Sequence, residues 1–87
     1  MANHASADKR NRQRIVRTAR NRTVRSALRT RLRAARAAIE SGVKADAVAA
    51  AHTAKVALAK AAGKGVIHVN AAARTSSRLD KALAALA

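Results

Sequence analysis

Apolar residues recur along this chain of 87 residues at the three- and four-residue spacing of an α-helix, and no segment shows the sustained two-residue alternation of a half-buried strand. Proline is absent and glycine occurs only at positions 42, 63 and 65, so the helical pattern is interrupted at two places. The three resulting segments are rich in Ala, Arg, Lys and Leu, which lose little entropy in a helix. The pattern predicts an all-α chain. Its helices are expected over about 6–41, 44–62 and 68–86.

The first predicted helix is much longer than the other two. It begins at Ser6 or Ala7, with Asp8 also near its start. It ends at Ser41, and Gly42 is suited to a left-handed C-terminal cap. At about 1.5 Å per residue it reaches roughly 50 Å, more than the two short helices cover. We therefore predict a three-helix bundle, antiparallel across its short turns, from which part of the N-terminal helix protrudes.

The two shorter helices have boundary signals of their own. The second begins between Val43 and Asp46, whose carboxylate complements a helix start, and ends at Ala62. The third starts near His68 or Asn70. Its apolar positions follow helical spacing and are Ala72, Leu79, Leu83 and Leu86. With 26 alanines and no aromatic side chain in the sequence, the core between the helices is expected to be thin.

The second half of the first helix has two distinct faces. Apolar positions step by four, seven and four residues along one face, at Val24, Leu28, Ala35 and Ile39. Arginines step by three or four along another, at Arg22, Arg25, Arg29, Arg33 and Arg36. We expect the first face to pack and the second to face outward. Arg31 falls close to the apolar side, where its stem can lie along the core while its head reaches water or forms a second contact surface.

The first half of this helix has charge on most sides of its axis, and only Ile15, Val16 and Ala19 offer apolar contact. Its basic residues are Lys9, Arg10, Arg12, Arg14, Arg17 and Arg20. Positive charge near a helix start opposes the helix macrodipole. We therefore expect residues up to about Arg20 to be frayed or disordered in the absence of a polyanion.

The charge balance identifies the class of partner. Nineteen Lys and Arg residues against four acidic residues give a formal net charge of +15, far more than solubility requires. Between Lys9 and Arg36 there are twelve basic residues and no acid, so successive turns cannot form ion pairs with one another. A merely solvated face is disfavoured, because charge of one sign surrounds the axis. The sequence therefore predicts a polyanionic partner.

The residue types favour structured RNA among the polyanions. Arginine outnumbers lysine by thirteen to six, and a guanidinium holds phosphate oxygens bidentately or stacks on a base. Duplex RNA is recognised mainly through shape and backbone contacts, which suits a thin helix lined with arginine. The absence of Phe, Tyr and Trp leaves no stacking platform of the kind that single-strand binders use.

The sequence lacks the residue groupings of an enzyme or a metal site. Cysteine is absent, the three histidines are scattered and the four acids are isolated, so no metal is expected. Ser76 and Ser77 have no nearby general base. Segment 63–68 lacks the spacing of a phosphate-binding loop and is better interpreted as a turn between helices. We predict no catalytic residue, no cofactor and no enzymatic activity.

The location predicted from sequence is the cytoplasm. There is no apolar span of twenty residues, and no signal-peptide core follows the basic start. A length of 87 residues fits one small domain, expected over 1–87. We expect no membrane association and no intrinsic homo-oligomer.

Several motifs, spread over essentially the whole chain, are similar to those of one known family. They are Met1-Ala2-Asn3, Ser6-Ala7, Lys9-Arg10, Arg12-Gln13, Arg20-Asn21, Ser26-Ala27-Leu28-Arg29-Thr30, Lys64-Gly65-Val66-Ile67-His68, Asn70, Ala72-Ala73-Arg74 and Ser77-Arg78-Leu79. In these the chain resembles the bacterial small-subunit ribosomal protein family numbered twenty. The resemblance implies a three-helix bundle with an extended first helix. It also implies direct binding of small-subunit (16S-type) ribosomal RNA, early assembly at the base of the subunit body, and bridging of separate rRNA helices.

The chain departs from that family at two places. In the last helix the family usually carries extra lysines, where this chain has Val69, Ala71, Thr75, Ser76 and Asp80. The resemblance therefore implies weaker contacts from the third helix. His4-Ala5 and Asp8 likewise leave the extreme N-terminus less basic than is usual in the family.

Charge, pattern and resemblance together predict a structural constituent of the small ribosomal subunit. The expected rRNA-binding residues are Lys9, Arg10, Arg12, Arg14, Arg17, Arg20, Arg22, Arg25, Arg29, Arg33, Arg36, Lys64, His68, Asn70, Arg74 and Arg78. Helix capping is the alternative role for His68 and Asn70, and a solvated face is the alternative for Arg74 and Arg78. Neighbouring ribosomal proteins are further candidate partners. An architectural DNA-binding protein is the alternative function, whereas a membrane-binding amphipathic helix is disfavoured by the lack of Trp and Phe.

Overall fold

The computed structural model describes residues 4–86, which form a bundle of three α-helices joined by two short turns. Helix α1 spans His4–Ser41, α2 spans Lys44–Gly63 and α3 spans Val69–Ala84. The predicted all-α bundle with a long first helix is confirmed. The motif at residues 1–3 lies outside the described residues, and the single domain over 1–87 stays a prediction.

The helix ends differ from the predicted ones by one to three residues. Helix α1 begins at His4 rather than at Ser6 or Ala7. Helix α2 continues one residue past Ala62, to Gly63, which is still in a helical conformation. Helix α3 ends at Ala84, short of residue 86, because the Leu86 amide bonds to the Leu83 carbonyl at 3.1 Å and tightens the last turn.

A hydroxyl and a glycine end α1. Gly42 has the left-handed φ of +78° that was expected of it, and its N–H donates to the Ile39 carbonyl at 3.1 Å. The Ser41 hydroxyl donates to the Ala38 carbonyl at 2.6 Å and accepts a longer bond from the Val43 N–H at 3.5 Å. The serine side chain thereby satisfies a carbonyl of the last turn that has no partner within the helix.

Backbone bonds and one buried valine form the turn between α2 and α3. Gly65 has a φ of +76° and donates to the Ala62 carbonyl at 3.0 Å, while Val66 N–H donates to the Ala61 carbonyl at 3.0 Å. These two bonds make a Schellman motif, in which the residue after the left-handed glycine contacts the helix it has just left. Val66 is accordingly buried, with 7% of its surface exposed. The interpretation of segment 63–68 as a turn between helices is confirmed for residues 64–68, whereas Gly63 is the last residue of α2.

The core is thin, as the composition predicted. Helix α2 lies between α1 and α3 and presents a row of fully buried alanines, Ala47, Ala51, Ala54 and Ala61. Each helix adds one large buried side chain, Leu28, Leu58 or Leu79. Small side chains let helix axes approach to about 8 Å, the lower end of the usual range. The bundle is therefore held by close approach rather than by large side chains.

The apolar seam predicted along α1 is the face that packs. Leu28 and Ala35 are buried, and Val24 and Ile39 are partly buried against the core. Leu32, which follows the same spacing, joins them. In α3, Ala72 and Leu79 are buried as predicted, and Leu83 and Leu86 are half-buried near the end of the chain.

The first part of α1 projects beyond the bundle. Every residue from 4 to 20 is exposed, and Asn21 is the first that is partly buried. We call 4–20 the protruding segment and 21–41 the packed segment. At about 1.5 Å per residue the protruding segment is roughly 25 Å long. The molecule accordingly measures 67 × 20 × 13 Å, and the predicted protrusion is confirmed.

Candidate nucleic-acid interface

The arginine stripe of the packed segment is exposed along its whole length. It consists of Arg22, Arg25, Arg29, Arg33 and Arg36. On the adjacent face of the same helix, Leu28 and Ala35 are buried with 7% and 0% of their surface exposed. The bundle therefore holds these guanidinium groups on a packed support, facing outward as predicted. Arg31 is also exposed, so its charge is accessible to solvent.

The protruding segment presents basic side chains on opposite sides. Because successive residues of an α-helix are about 100° apart, Arg10 and Arg14 lie on one side and Lys9 and Arg12 lie on the other. The Arg14 guanidinium donates to the Asn11 side-chain carbonyl at 2.9 Å, a bond within a single turn. All the basic side chains of this segment are exposed. The segment therefore offers a cationic surface in more than one direction.

One arginine of the stripe also has a partner inside the molecule. Arg25 Nη2 donates to the Val66 carbonyl at 3.2 Å, which ties α1 to the turn between α2 and α3. The two residues are 41 positions apart, so no local pattern in the sequence predicts this bond. Arg25 was predicted solely as a contact to rRNA. The structure gives it a contact within the fold as well.

The turn and α1 enclose a basic groove, which we call the corner groove. Its lining residues are Arg17, Arg20, Asn21, Val24, Lys64, Gly65 and Val66. The sequence predicted Arg17, Arg20 and Lys64 individually as binding residues, but not that they would meet. The groove lies where the protruding segment joins the bundle. Its lining residues within 4–86 include three cations and no acidic side chain.

Sequence reasoning did not select Asn21 as a binding residue. Asn21 lines the corner groove and also a second groove beside the stripe, which includes Thr18, Arg22 and Arg29. It is partly buried and lies three residues before Val24, so it extends the apolar seam with a polar amide. A polar residue that continues an apolar face was the signal available in the sequence.

His68 and Asn70 form the start of α3. His68 is the N-cap residue, and its Nδ1 accepts a hydrogen bond from the Asn70 backbone N–H at 3.0 Å. This contact satisfies one of the amide groups that has no partner within the helix. The capping role is therefore present for His68, whereas Asn70 contributes only its backbone N–H to this contact, and both side chains are also exposed. Contact of either residue with rRNA stays a prediction.

The basic residues of α3 are exposed, and one of them lies beside α1. Arg78 lines a shallow groove with Arg36 and Glu40, so the stripe and the α3 charges meet at the far end of the bundle. Arg74 is exposed on α3 one turn earlier. Binding by Arg74 and Arg78 stays a prediction, with a solvated face as the alternative.

Within residues 4–86, no group of three or more His, Cys, Asp or Glu side chains is placed to hold a metal ion. None of the helices formed by these residues has the combination of length and apolar character needed to cross a bilayer.

Comparison with known proteins indicates one family. Residues 2–84 match the family described as Ribosomal protein S20. The chain is 55% identical over 83 residues to the small ribosomal subunit protein bS20 of Sorangium cellulosum, covering 95% of this chain and 87% of that protein. Identity to the bS20 protein of Desulfotalea psychrophila is 48%, over 99% of this chain and 97% of the relative.

A more divergent relative matches this chain along its full length. The chain is 45% identical to the small ribosomal subunit protein bS20 of Ralstonia pickettii, covering 100% of this chain and 99% of that protein. The family match likewise leaves out only a few terminal residues. The chain therefore belongs to the ribosomal protein S20 family.

Proposed function

We propose that this chain is a structural constituent of the small ribosomal subunit that binds small-subunit rRNA directly and bridges separate rRNA helices. The relatives are named as small ribosomal subunit proteins, which places the proposed site of action in the bacterial cytoplasm. The family is a structural one, so the chain is not an enzyme. The observation that carries the proposal is charge of one sign on opposite sides of a helix that projects from the bundle.

Direct rRNA binding is supported by the position of the cations. Twelve basic residues and no acid lie between Lys9 and Arg36, and all twelve are exposed. Exposed cations near one another repel, and a bound phosphate backbone replaces this repulsion with attraction while it releases counterions. The packed segment fixes the register of the stripe on the RNA. The protruding segment extends the same charge roughly 25 Å further.

Bridging is supported by the two-sided charge of the protruding segment. Arg10 and Arg14 lie on the opposite side of the helix from Lys9 and Arg12. A helix with its side chains is about 10–12 Å wide, narrow enough to lie between two RNA duplexes. Duplex RNA is recognised largely through its shape and backbone, which this surface suits. One helix can thereby contact two phosphate backbones.

Chemical footprinting of protein-free small-subunit rRNA, with and without the protein, tests the function. We expect protection in at least two separate rRNA helices, and cosedimentation with small subunits at moderate salt. The informative variant is Arg22→Gln/Arg29→Gln/Arg33→Gln, which spares Arg25 because that residue also supports the fold. Loss of three phosphate contacts lowers the slope of log affinity against log salt by roughly 2–3. The charge-matched control is Lys44→Gln/Lys60→Gln/Lys81→Gln, at exposed positions outside the predicted interface.

Two results contradict the proposal. If addition of the protein leaves the footprint unchanged, direct rRNA binding is excluded. Tighter binding to duplex DNA than to folded small-subunit rRNA, measured by competition at one salt concentration, favours an architectural DNA-binding protein instead.

A further inference from the structure

The corner groove brings together cations from two distant parts of the sequence. Arg17 and Arg20 come from the base of the protruding segment, whereas Lys64 comes from the turn that ends α2. The described lining contains no carboxylate that offsets their charge. Three cations held around one groove repel one another unless an anion lies between them. A bound anion therefore stabilises the groove.

The backbone leaves room for that anion to approach closely. Apart from its chain neighbours, a Cβ placed on Gly65 would meet no heavy atom of residues 4–86 within 4 Å, so the space beside the turn is open. Gly65 has no side chain to fill this space, and its own N–H is already bonded to the Ala62 carbonyl. Asn21, partly buried at the opposite wall, adds a side-chain amide that can donate to an oxygen. The Asn21 amide and the cations Arg17, Arg20 and Lys64 are side-chain donors from which a phosphate oxygen can accept.

The bond from Arg25 to Val66 fixes the wall that carries Lys64. Val66 is two residues after Lys64, and its amide and carbonyl are both engaged, the first by Ala61 and the second by Arg25. The turn is therefore tied to α2 on one side and to α1 on the other. Without the bond from Arg25, the turn has one fewer connection to the helix that carries Arg17 and Arg20.

We propose that Arg17, Arg20 and Lys64 bind one and the same backbone phosphate of the RNA, and that Arg25 is a positioning residue that holds Lys64 in place for this contact. The inference rests on the proposed function, because the ligand is a phosphodiester of the rRNA. It adds that three cations act as one site. It also separates Arg25 from the other arginines of the stripe, which bind independently.

The first test compares salt slopes for binding to full-length small-subunit rRNA. The slope is measured for the triple variant Arg17→Gln/Arg20→Gln/Lys64→Gln and for the three single variants, and each is compared with the slope of the wild-type protein. If the three cations share one phosphate, the triple variant lowers the slope by about 0.7–0.9, one phosphate equivalent. If each binds its own phosphate, the slope falls by roughly 2–3. The second result overturns the shared site.

The second test is a double-mutant cycle between Arg25 and Lys64. Arg25→Lys keeps the charge but not the planar fork that reaches the Val66 carbonyl. We expect it to weaken rRNA binding roughly tenfold in the wild-type background, the effect of one charged hydrogen bond, and not to weaken it further when Lys64 is already Gln. A change that lowers overall stability, or that removes an independent contact, weakens binding equally in both backgrounds. Equal effects therefore overturn the positioning role.

The control variant is Arg29→Lys, because Arg29 makes no side-chain hydrogen bond within residues 4–86 and does not line the corner groove. It should show no coupling to Lys64. Failure of this inference is distinguishable from failure of the function. If wild-type protein does not bind rRNA, the proposed function fails. If it binds, but the triple variant lowers the salt slope by roughly 2–3, only the shared phosphate site is wrong.

Discussion

Lys55 Nζ lies 2.8 Å from Asp80 Oδ1 and joins α2 to α3 by an ion pair. Asp80 stands in the last helix, where the family resemblance led us to expect further lysines. The acid therefore does more than reduce the positive charge of α3, since it gives α2 a contact with a helix that shares only a thin core with it. The two side chains are 35% and 57% exposed, so solvent screens the pair.

The first prediction concerns this ion pair. Asp80→Asn should lower the free energy of unfolding by less than about 1 kcal/mol at low salt, and the loss should disappear at about 1 M salt, where the Debye length is roughly 3 Å. Urea denaturation at both salt concentrations measures this. Lys55→Gln should cause the same loss, and the double variant no more than either single one. Additive losses would show that the two side chains act separately.

The second prediction contrasts Gly63, the last residue of α2, with Gly65 in the turn that follows it. Gly65 has a φ of +76°, so Gly65→Ala should lower the free energy of unfolding by about 1–2 kcal/mol through backbone strain. Gly63 is helical, and a Cβ there would meet no atom within 4 Å. Gly63→Ala should therefore raise the free energy of unfolding by about 0.5–1 kcal/mol. Thermal denaturation of both variants measures these changes. If both substitutions change the free energy of unfolding in the same direction, the assigned turn geometry is contradicted.

The helices and the two faces of α1 could be predicted because the signals are local. The three- and four-residue spacing predicted that the face of α1 carrying Leu28 and Ala35 is buried, and the glycines indicated both turns. The bond from Arg25 to Val66 joins residues 41 positions apart, and it depends on how the turn packs on α1. No periodicity within one helix contains that information.

The same distinction applies to the candidate site. Exposure of the basic residues followed from their number and sign, because so few acids are present to pair with them. Lys64 and Arg17 line the same groove because of the length of α2 and the direction in which α2 runs along α1. Ser41 similarly ended α1 through its hydroxyl, a contact that depends on a rotamer rather than on sequence spacing.

The third prediction tests the two sides of the protruding segment with variants of equal charge. Arg10→Gln/Arg14→Gln removes two cations from one side, and Lys9→Gln/Arg12→Gln removes two from the other. If the segment lies between two rRNA helices, each variant should lose footprint protection in a different helix. The overall affinity should fall by similar amounts, because each variant loses about two phosphate contacts. Loss of the same protected nucleotides in both variants would contradict bridging by this segment.

The fourth prediction concerns the order of the protruding segment in the free protein. Residues 4–20 form a helix in the structure, but all of them are exposed and the first turn contains no acid to complement the macrodipole. An isolated helix of this length is marginal in water, so without RNA we expect its amides to exchange with solvent almost as fast as those of an unfolded chain. Binding of small-subunit rRNA should neutralise the repulsion among its arginines and slow this exchange.

Hydrogen exchange measured residue by residue, with and without rRNA, tests this directly. The buried amides of Ala51 and Leu58 in α2 serve as the internal control, because their protection should depend on the bundle and change little on binding. Raising the salt concentration should partly restore protection of residues 4–20 in the free protein, since it screens charges of the same sign. If the segment is as well protected as α2 before RNA is added, repulsion among its cations does not control its order, and the packed and protruding segments fold as one unit.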